Sequence, residues 1–275
     1  MKYGTLVRIS SPDEAAEKFD ALRKVGMDTC QLVYKPERYN PSEAIAIKKA
    51  SEDAGIEISA QFCGYRDSNG LWDTKFDFVN AGINSPVYGA QRIEYLLSAI
   101  PFVKALGVTD MIIHPGFIPN DPFTDSYARM LAGVALLGTR LKVAGLNLLF
   151  ETGMESPISL LRLIIDSGLD NLYINLDTAN PIMYGYGNPV DALYTFGKYV
   201  RNLHFKDGLP PTTPGKLGPE VQIGKGHVDF PKVVAKLKEL GYDRYCIIER
   251  EIGGEEQTRD ILAALEYIKG LFNSQ

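Results

Sequence analysis

Six helical patterns in this chain stop at a glycine just ahead of an apolar, β-rich run: Gly26, Gly55, Gly107, Gly145, Gly168 and Gly241. Glycine takes up the left-handed conformation that closes a helix without steric cost, so each one marks a passage from helix to strand. Strand candidates fall at 3–9, 29–33, 56–62, 108–114, 146–151, 172–177, 200–205 and 245–249. Between and after them lie helix candidates at 13–25, 42–54, 91–106, 125–144, 156–166, 189–197, 231–240 and 255–271. Ser11-Pro12-Asp13-Glu14 and Asn40-Pro41-Ser42-Glu43 read as helix starts, with proline in the first turn and acids at the positive end of the dipole. About eight β-α units predict an α/β chain folded as a (β/α)8 TIM barrel, one domain over residues 1–275. The alternative, an open doubly wound sheet, usually carries a glycine-rich turn after its first strand. Val7-Arg8-Ile9-Ser10-Ser11-Pro12 has no glycine.

Charge and cysteine usage narrow the function classes. A net charge of −5 argues against nucleic acid, which rewards chains that neutralise phosphates. Cys30, Cys63 and Cys246 form neither a disulfide framework nor a pair at metal-ligand spacing, and Cys30 and Cys246 sit in apolar stretches as small buried hydrophobes. The first residues are too polar for a signal peptide, and no apolar run reaches the ~18 residues of a membrane span. These features predict a cytoplasmic protein with a small-molecule partner, compatible with a homo-oligomer.

Two connections are longer than a barrel needs: 63–90 after the third strand and 207–228 after the seventh. Both open at the C-terminal face, where barrel enzymes place their chemistry. The first carries Tyr65 and the only tryptophan, Trp72, which with Phe117 offer a ligand an apolar wall.

Five consecutive strands end in an ionisable residue after an apolar run: His114, Glu151, Asp177, His204 and Glu249. One such residue is ordinarily the chain reaching solvent. A closed barrel, however, brings all five to one rim, where three carboxylates repel one another unless a cation neutralises them. Glu151, Asp177, His204 and Glu249 make a mixed nitrogen and oxygen set suited to one divalent ion, Mn, Mg, Co or Zn. His114 either joins the set or touches substrate, and the second role is favoured. Lys206 follows His204 by two residues and either binds a substrate group or pairs with Asp207. His227, after Gly224-Lys225-Gly226, reads equally as a substrate contact or a solvated loop residue. Glu251 is a substitute for Glu249 by strand alternation, although Glu249 ends the apolar run.

Phe150-Glu151-Thr152-Gly153, Asn175-Leu176-Asp177-Thr178-Ala179-Asn180, Leu203-His204-Phe205-Lys206-Asp207-Gly208, 223–230 and Ile248-Glu249-Arg250-Glu251 together resemble the xylose isomerase-like barrels of sugar and sugar-phosphate isomerases and epimerases. The resemblance spans nearly the whole chain and is strongest from residue 146 onward. It implies that Glu151, Asp177, His204 and Glu249 occupy the family's four metal-ligand positions. It further implies that Glu151 and Glu249 are the acid/base pair of its ketose epimerase branch. His114-Pro115-Gly116 matches a histidine found near the substrate. Departures are also visible: Asn180 stands where many relatives have histidine, and the loop after strand seven offers Lys206, Lys216 and Lys225 in place of an arginine. Three histidines in the chain do not supply the three-zinc cluster of the related endonucleases.

The implied chemistry moves a proton at the carbon beside a carbonyl, through an enediolate that a divalent ion stabilises. The expected substrate is a sugar, sugar phosphate or polyol ketone, with His114, Asn180, Lys206, Trp72 and His227 as contacts. Phosphate has little support, because Glu255 and Glu256 follow Gly253-Gly254 into the first turn of the last helix and repel an anion. A dehydratase of an inosose-like ketone, or a sugar-binding protein without turnover, are the alternatives on the same fold.

Overall fold

The computed structural model describes residues 1–67 and 80–274, and its eight principal strands close into a parallel barrel. Around the ring, β1 (Lys2–Ile9) is followed by β2 (Thr29–Tyr34), β3 (Glu57–Phe62), β4 (Asp110–Ile113), β5 (Asn147–Glu151), β6 (Leu172–Asp177) and β7 (Val200–Phe205). The ring is completed by β10 (Tyr245–Ile248), which pairs with both β7 and β1. Between β7 and β10 the long loop holds a two-stranded antiparallel ladder, β8 (Asp207–Gly208) with β9 (Glu220–Val221).

Helices fill the connections where the start and stop signals fall. α1 (Ala15–Lys24) follows a short 3-10 turn over Pro12–Glu14, and α2 (Pro41–Ala54) begins where Asn40 accepts the Ser42 N–H. α2 ends at Gly55 with φ of 69°, a conformation that would strain any side chain. The expected helix over 91–106 is two helices, α3 (Gly89–Ser98) and α4 (Ile100–Leu106), joined at Ala99. Pro101 sits in the first turn of α4, where its missing N–H and ring break a continuous ladder. α5 (Asp125–Val143), α6 (Pro157–Ser167), α8 (Pro189–Phe196), α9 (Phe230–Glu239) and α10 (Gly254–Asn273) complete the outer layer. A single extra turn, α7 (Asn180–Met183), leaves the end of β6. No helix of the described residues is long and apolar enough to cross a membrane.

Alternation along the strands separates two interiors. Leu148, Phe150, Ile174, Leu176, Leu203 and Phe205 face the helices in the main apolar core. Their neighbours face the barrel axis, where Ala60, Ile112 and Leu149 pack with Phe62 and Tyr173. Above that apolar layer the axis-facing side chains become polar, and at the strand ends ionisable. The opposite, N-terminal mouth is closed by Asp110, which accepts from Arg201 Nε at 2.8 Å and Asn147 Nδ2 at 2.8 Å.

Candidate active site

The four strand-end residues meet. Ligand atoms of Glu151, Asp177, His204 and Glu249 all lie within 4.8 Å of one another, and all four residues are buried. His204 Nδ1 is 2.6 Å from Glu151 Oε1, 2.9 Å from Glu249 Oε2 and 4.0 Å from Asp177 Oδ2. Glu249 Oε2, although this close to the ring, is buried without a hydrogen-bond partner. Asp177 Oδ2 is likewise buried without a donor, while its Oδ1 accepts the N–H groups of Ala179 and Asn180 at the start of α7.

Lys206 faces the same axis from β7's end. Its Nζ lies 3.9 Å from both Asp177 Oδ2 and Glu249 Oε2 and is paired with Glu251 Oε2 at 3.0 Å. Arg8 reaches Glu249 Oε1 at 4.0 Å from the rim. Three buried carboxylates and one buried imidazole thus converge here with Lys206 as the one buried lysine beside them. The orphaned oxygens of Asp177 and Glu249 and the mixed nitrogen and oxygen donor set fit a divalent ion.

The ionisation balance follows from the same contacts. Burial alone would raise the Glu151 carboxyl, but His114 and His204 beside it hold it down at about 2. Burial would lower the His204 imidazole, yet Glu151 and Glu249 push it up to about 10. Asp177 is raised well above the carboxylate range by burial and by the charges of Glu249 and Glu151. Lys206 and His204 keep Glu249 ionised against its burial.

Above this floor opens a pocket of about 220 Å³ whose lining includes Glu151, Glu249, His114, Asn180 and Lys206. Phe62, Tyr65 and Tyr184 form an apolar wall. A model of the family described as xylose isomerase-like TIM barrel matches residues 19–271.

This chain belongs to that family. A xylose isomerase domain protein from Planctomyces limnophilus superposes with a TM-score of 0.89 at 29% identity, covering 98% of each chain. A D-psicose 3-epimerase from Clostridium cellulolyticum H10, solved with D-tagatose, shares the fold with a TM-score of 0.73 at 13% identity, covering 100% of both chains. An inosose dehydratase from Lacticaseibacillus casei is 25% identical over 146 residues, 46% of this chain and 48% of that relative.

Within this xylose isomerase-like barrel the remaining expected contacts are placed as follows. His114 lines the pocket and its Nε2 lies 3.0 Å from Glu151 Oε2. Asn180 lines it too, with its side-chain N–H given to the Thr152 carbonyl at 2.8 Å. Lys206 pairs with Glu251 rather than Asp207, whose carboxylate accepts the backbone N–H groups of Gly208, Gly224, Gly226 and Val228. His227 is exposed and is not brought to the pocket; its backbone N–H donates to Gly208 O. The glycines before it belong to the Asp207 clasp, because a Cβ on Gly226 would lie 2.2 Å from Asp207 Oδ1. Phe117 packs with Ala81, Met154 and Tyr184 beside the pocket. Trp72 lies outside the described residues.

Tyr65 is the expected aromatic wall, while Arg92, Glu155 and Gln31 also shape the site without having been singled out in the sequence. Tyr65 donates its hydroxyl to the His114 carbonyl and rests against buried Arg92, whose guanidinium is pinned by Asp67 at 2.7 Å. Glu155 is fully enclosed near His114, and burial pushes its carboxyl up to about 7. Gln31 and Asn175 lie under His204. Counting back by two from Asp177 would have found Asn175, since it shares that residue's face.

Proposed function

We propose that this protein is a divalent-cation-dependent isomerase or epimerase of a sugar or related polyol ketone. The observation that carries the reading is the placement of Glu151 and Glu249 in one small pocket, from strands β5 and β10, beside a donor set fitted to a cation. Glu151, Asp177, His204 and Glu249 would hold one ion, with Mn, Mg, Co and Zn all suited to such donors. When bound, that ion supplies Lewis-acid stabilisation for negative charge developing on the substrate oxygens.

The chain's own residues do the rest. One glutamate takes the proton from the carbon beside the carbonyl; the other returns a proton to the far side of that carbon in an epimerisation, or a proton goes to the former carbonyl carbon in an isomerisation. His114 holds the outer oxygen of Glu151, so this carboxylate keeps one orientation while it handles the proton. Lys206 and Asn180 meet hydroxyl or carbonyl oxygens, and the Phe62 and Tyr65 rings cover the apolar face of the sugar. A closed barrel floor of fully buried residues excludes water from below.

A second reading is supported by the similarity to an inosose dehydratase, which would begin with the same proton removal and then expel water. One experiment tests both. The protein is loaded separately with Mn2+, Mg2+, Co2+ and Zn2+ and incubated in D2O with ketoses, aldoses and inososes. Deuterium at the carbon beside the carbonyl with unchanged composition supports the isomerase or epimerase; a product lighter by one water supports the dehydratase. No exchange with any compound under any metal overturns both in favour of a binding protein.

A further inference from the structure

Beneath the pocket floor, the barrel axis carries two amides that the proposed chemistry does not use. Gln31, on β2, is completely buried and reaches across the barrel to β7 and β6. Its Oε1 lies 2.6 Å from His204 Nε2, and its Nε2 donates to Asn175 Oδ1 at 2.9 Å. An axis-facing position at this depth is ordinarily filled by a branched apolar side chain. A buried amide here therefore calls for a reason.

The reason lies in which nitrogen of His204 faces the carboxylates. Nδ1 points into the donor set, toward Glu151 and Glu249. A nitrogen that binds a cation must be bare, so the neutral ring carries its single proton on Nε2. That buried N–H needs an acceptor, and Gln31 Oε1 stands in front of it. A reversed Gln31 amide would set its own N–H against that proton. Asn175 Oδ1, by accepting from Gln31 Nε2, holds the amide the right way round.

We propose that Gln31 is a positioning residue for the cation site: its carbonyl keeps His204 in the Nε2–H tautomer, so that Nδ1 is the ligand, and Asn175 fixes the Gln31 amide. Hydrogen-bond partners behind a ligating histidine orient the ring and raise its basicity, and their loss typically weakens metal binding 10–100-fold. The inference rests on reading the four-residue cluster as a cation site.

The test uses the full chain without reference to turnover. In Zn2+-loaded protein labelled with 15N-histidine, long-range proton–nitrogen correlation spectra resolve the three histidine rings of the chain. One ring is expected to show a metal-bound Nδ1 and a slowly exchanging proton on Nε2. Calorimetric titration with Mn2+ should give Gln31→Met, similar in length but without an acceptor, an affinity roughly 10–100-fold below the parent. Gln31→Glu keeps an acceptor oxygen, and Asn175 can turn its partnerless Nδ2 toward it, so affinity should return to at least the parent value. A proton on Nδ1 in the loaded parent, parental affinity in Gln31→Met, or equal losses in both variants overturns the inference alone. Failure of the parent to bind either ion overturns it together with the cation site. If Gln31→Met does not fold, the spectrum of the parent still decides.

Discussion

His204 Nδ1 and Glu151 Oε1 lie 2.6 Å apart, while the far nitrogen of the same ring faces a carbonyl oxygen at 2.6 Å, so with no cation bound both ring nitrogens carry protons. Glu151 and Glu249 hold that imidazolium up at about 10 in spite of its burial. A cation needs Nδ1 bare and therefore competes with a proton. Cation affinity is expected to rise with pH across the neutral range, about tenfold per unit for each proton displaced, and to level off only near 10. Calorimetry with Mn2+ at pH 6, 7 and 8, in buffers of differing ionisation enthalpy, counts the protons released. A constant affinity with no proton release would contradict the arrangement.

Removing the proton-handling group from either glutamate should separate chemistry from binding. Glu151→Gln and Glu249→Gln are each expected to lower deuterium exchange by at least about a hundredfold, the ordinary scale of general acid/base catalysis. Each amide retains one oxygen donor, so some cation binding should survive and can be measured alongside. Exchange at the parental rate in both metal-loaded variants would remove the pair from the mechanism.

Glu155 makes a stability prediction that needs no metal. Burial raises its carboxyl from 4.5 to about 7, so the folded state prefers the neutral form. Its contribution is complete below pH 4.5 and is lost as pH climbs through 7. Glu155→Gln, which cannot ionise, should gain stability relative to the parent between those limits, by about 3 kcal/mol at pH 8. Urea unfolding of both proteins at pH 4.5 and pH 8 checks the sign. A variant equally destabilised at both values would mean that Glu155 is ionised and paired in the native protein.

At the other mouth of the barrel, Asp110 is 1% exposed and is held by Arg201, Asn147 and Thr109. Asp110→Ala leaves the partly exposed Arg201 guanidinium and the Asn147 amide without their acceptor, a loss of about 1–3 kcal/mol. The folded fraction should keep its cation affinity, because the change lies at the end of the barrel away from the pocket. Chemical denaturation followed by Mn2+ titration separates the two effects. Weakened binding by protein shown to be folded would couple the two ends.

The barrel and the meeting of its strand ends were legible because both depend on short-range pattern. Glycine after helix and polar residue after apolar run are local signals, and period-two alternation carries Glu151, Asp177 and His204 to the axis once the sheet closes. His114 and Glu249 each fall one residue past the assigned strands, which did not alter their placement. The pairing of Gln31 with His204 was hidden because it spans the barrel, joining residues 173 positions apart in the chain. Pro101 was in plain view within 91–106, yet its position in a first turn depends on how α3 ends. For His227 the sequence leaves substrate contact and solvated loop equally open, because Asp207 organises that segment through backbone groups that leave no mark on side-chain pattern.

That clasp fastens both feet of the loop after β7 to one side chain. Gly208 and Val228 are tied to Oδ1, Gly224 and Gly226 to Oδ2, and only the stretch between them carries Leu217 to the pocket. The intervening residues are a bow held by a knot, with a second tie at Glu220, which accepts the Glu251 N–H and meets Arg250 at 3.2 Å. A change at the loop's tip is therefore expected to reach the pocket by two routes, through Leu217 directly and through Glu220 to the residues that follow Glu249.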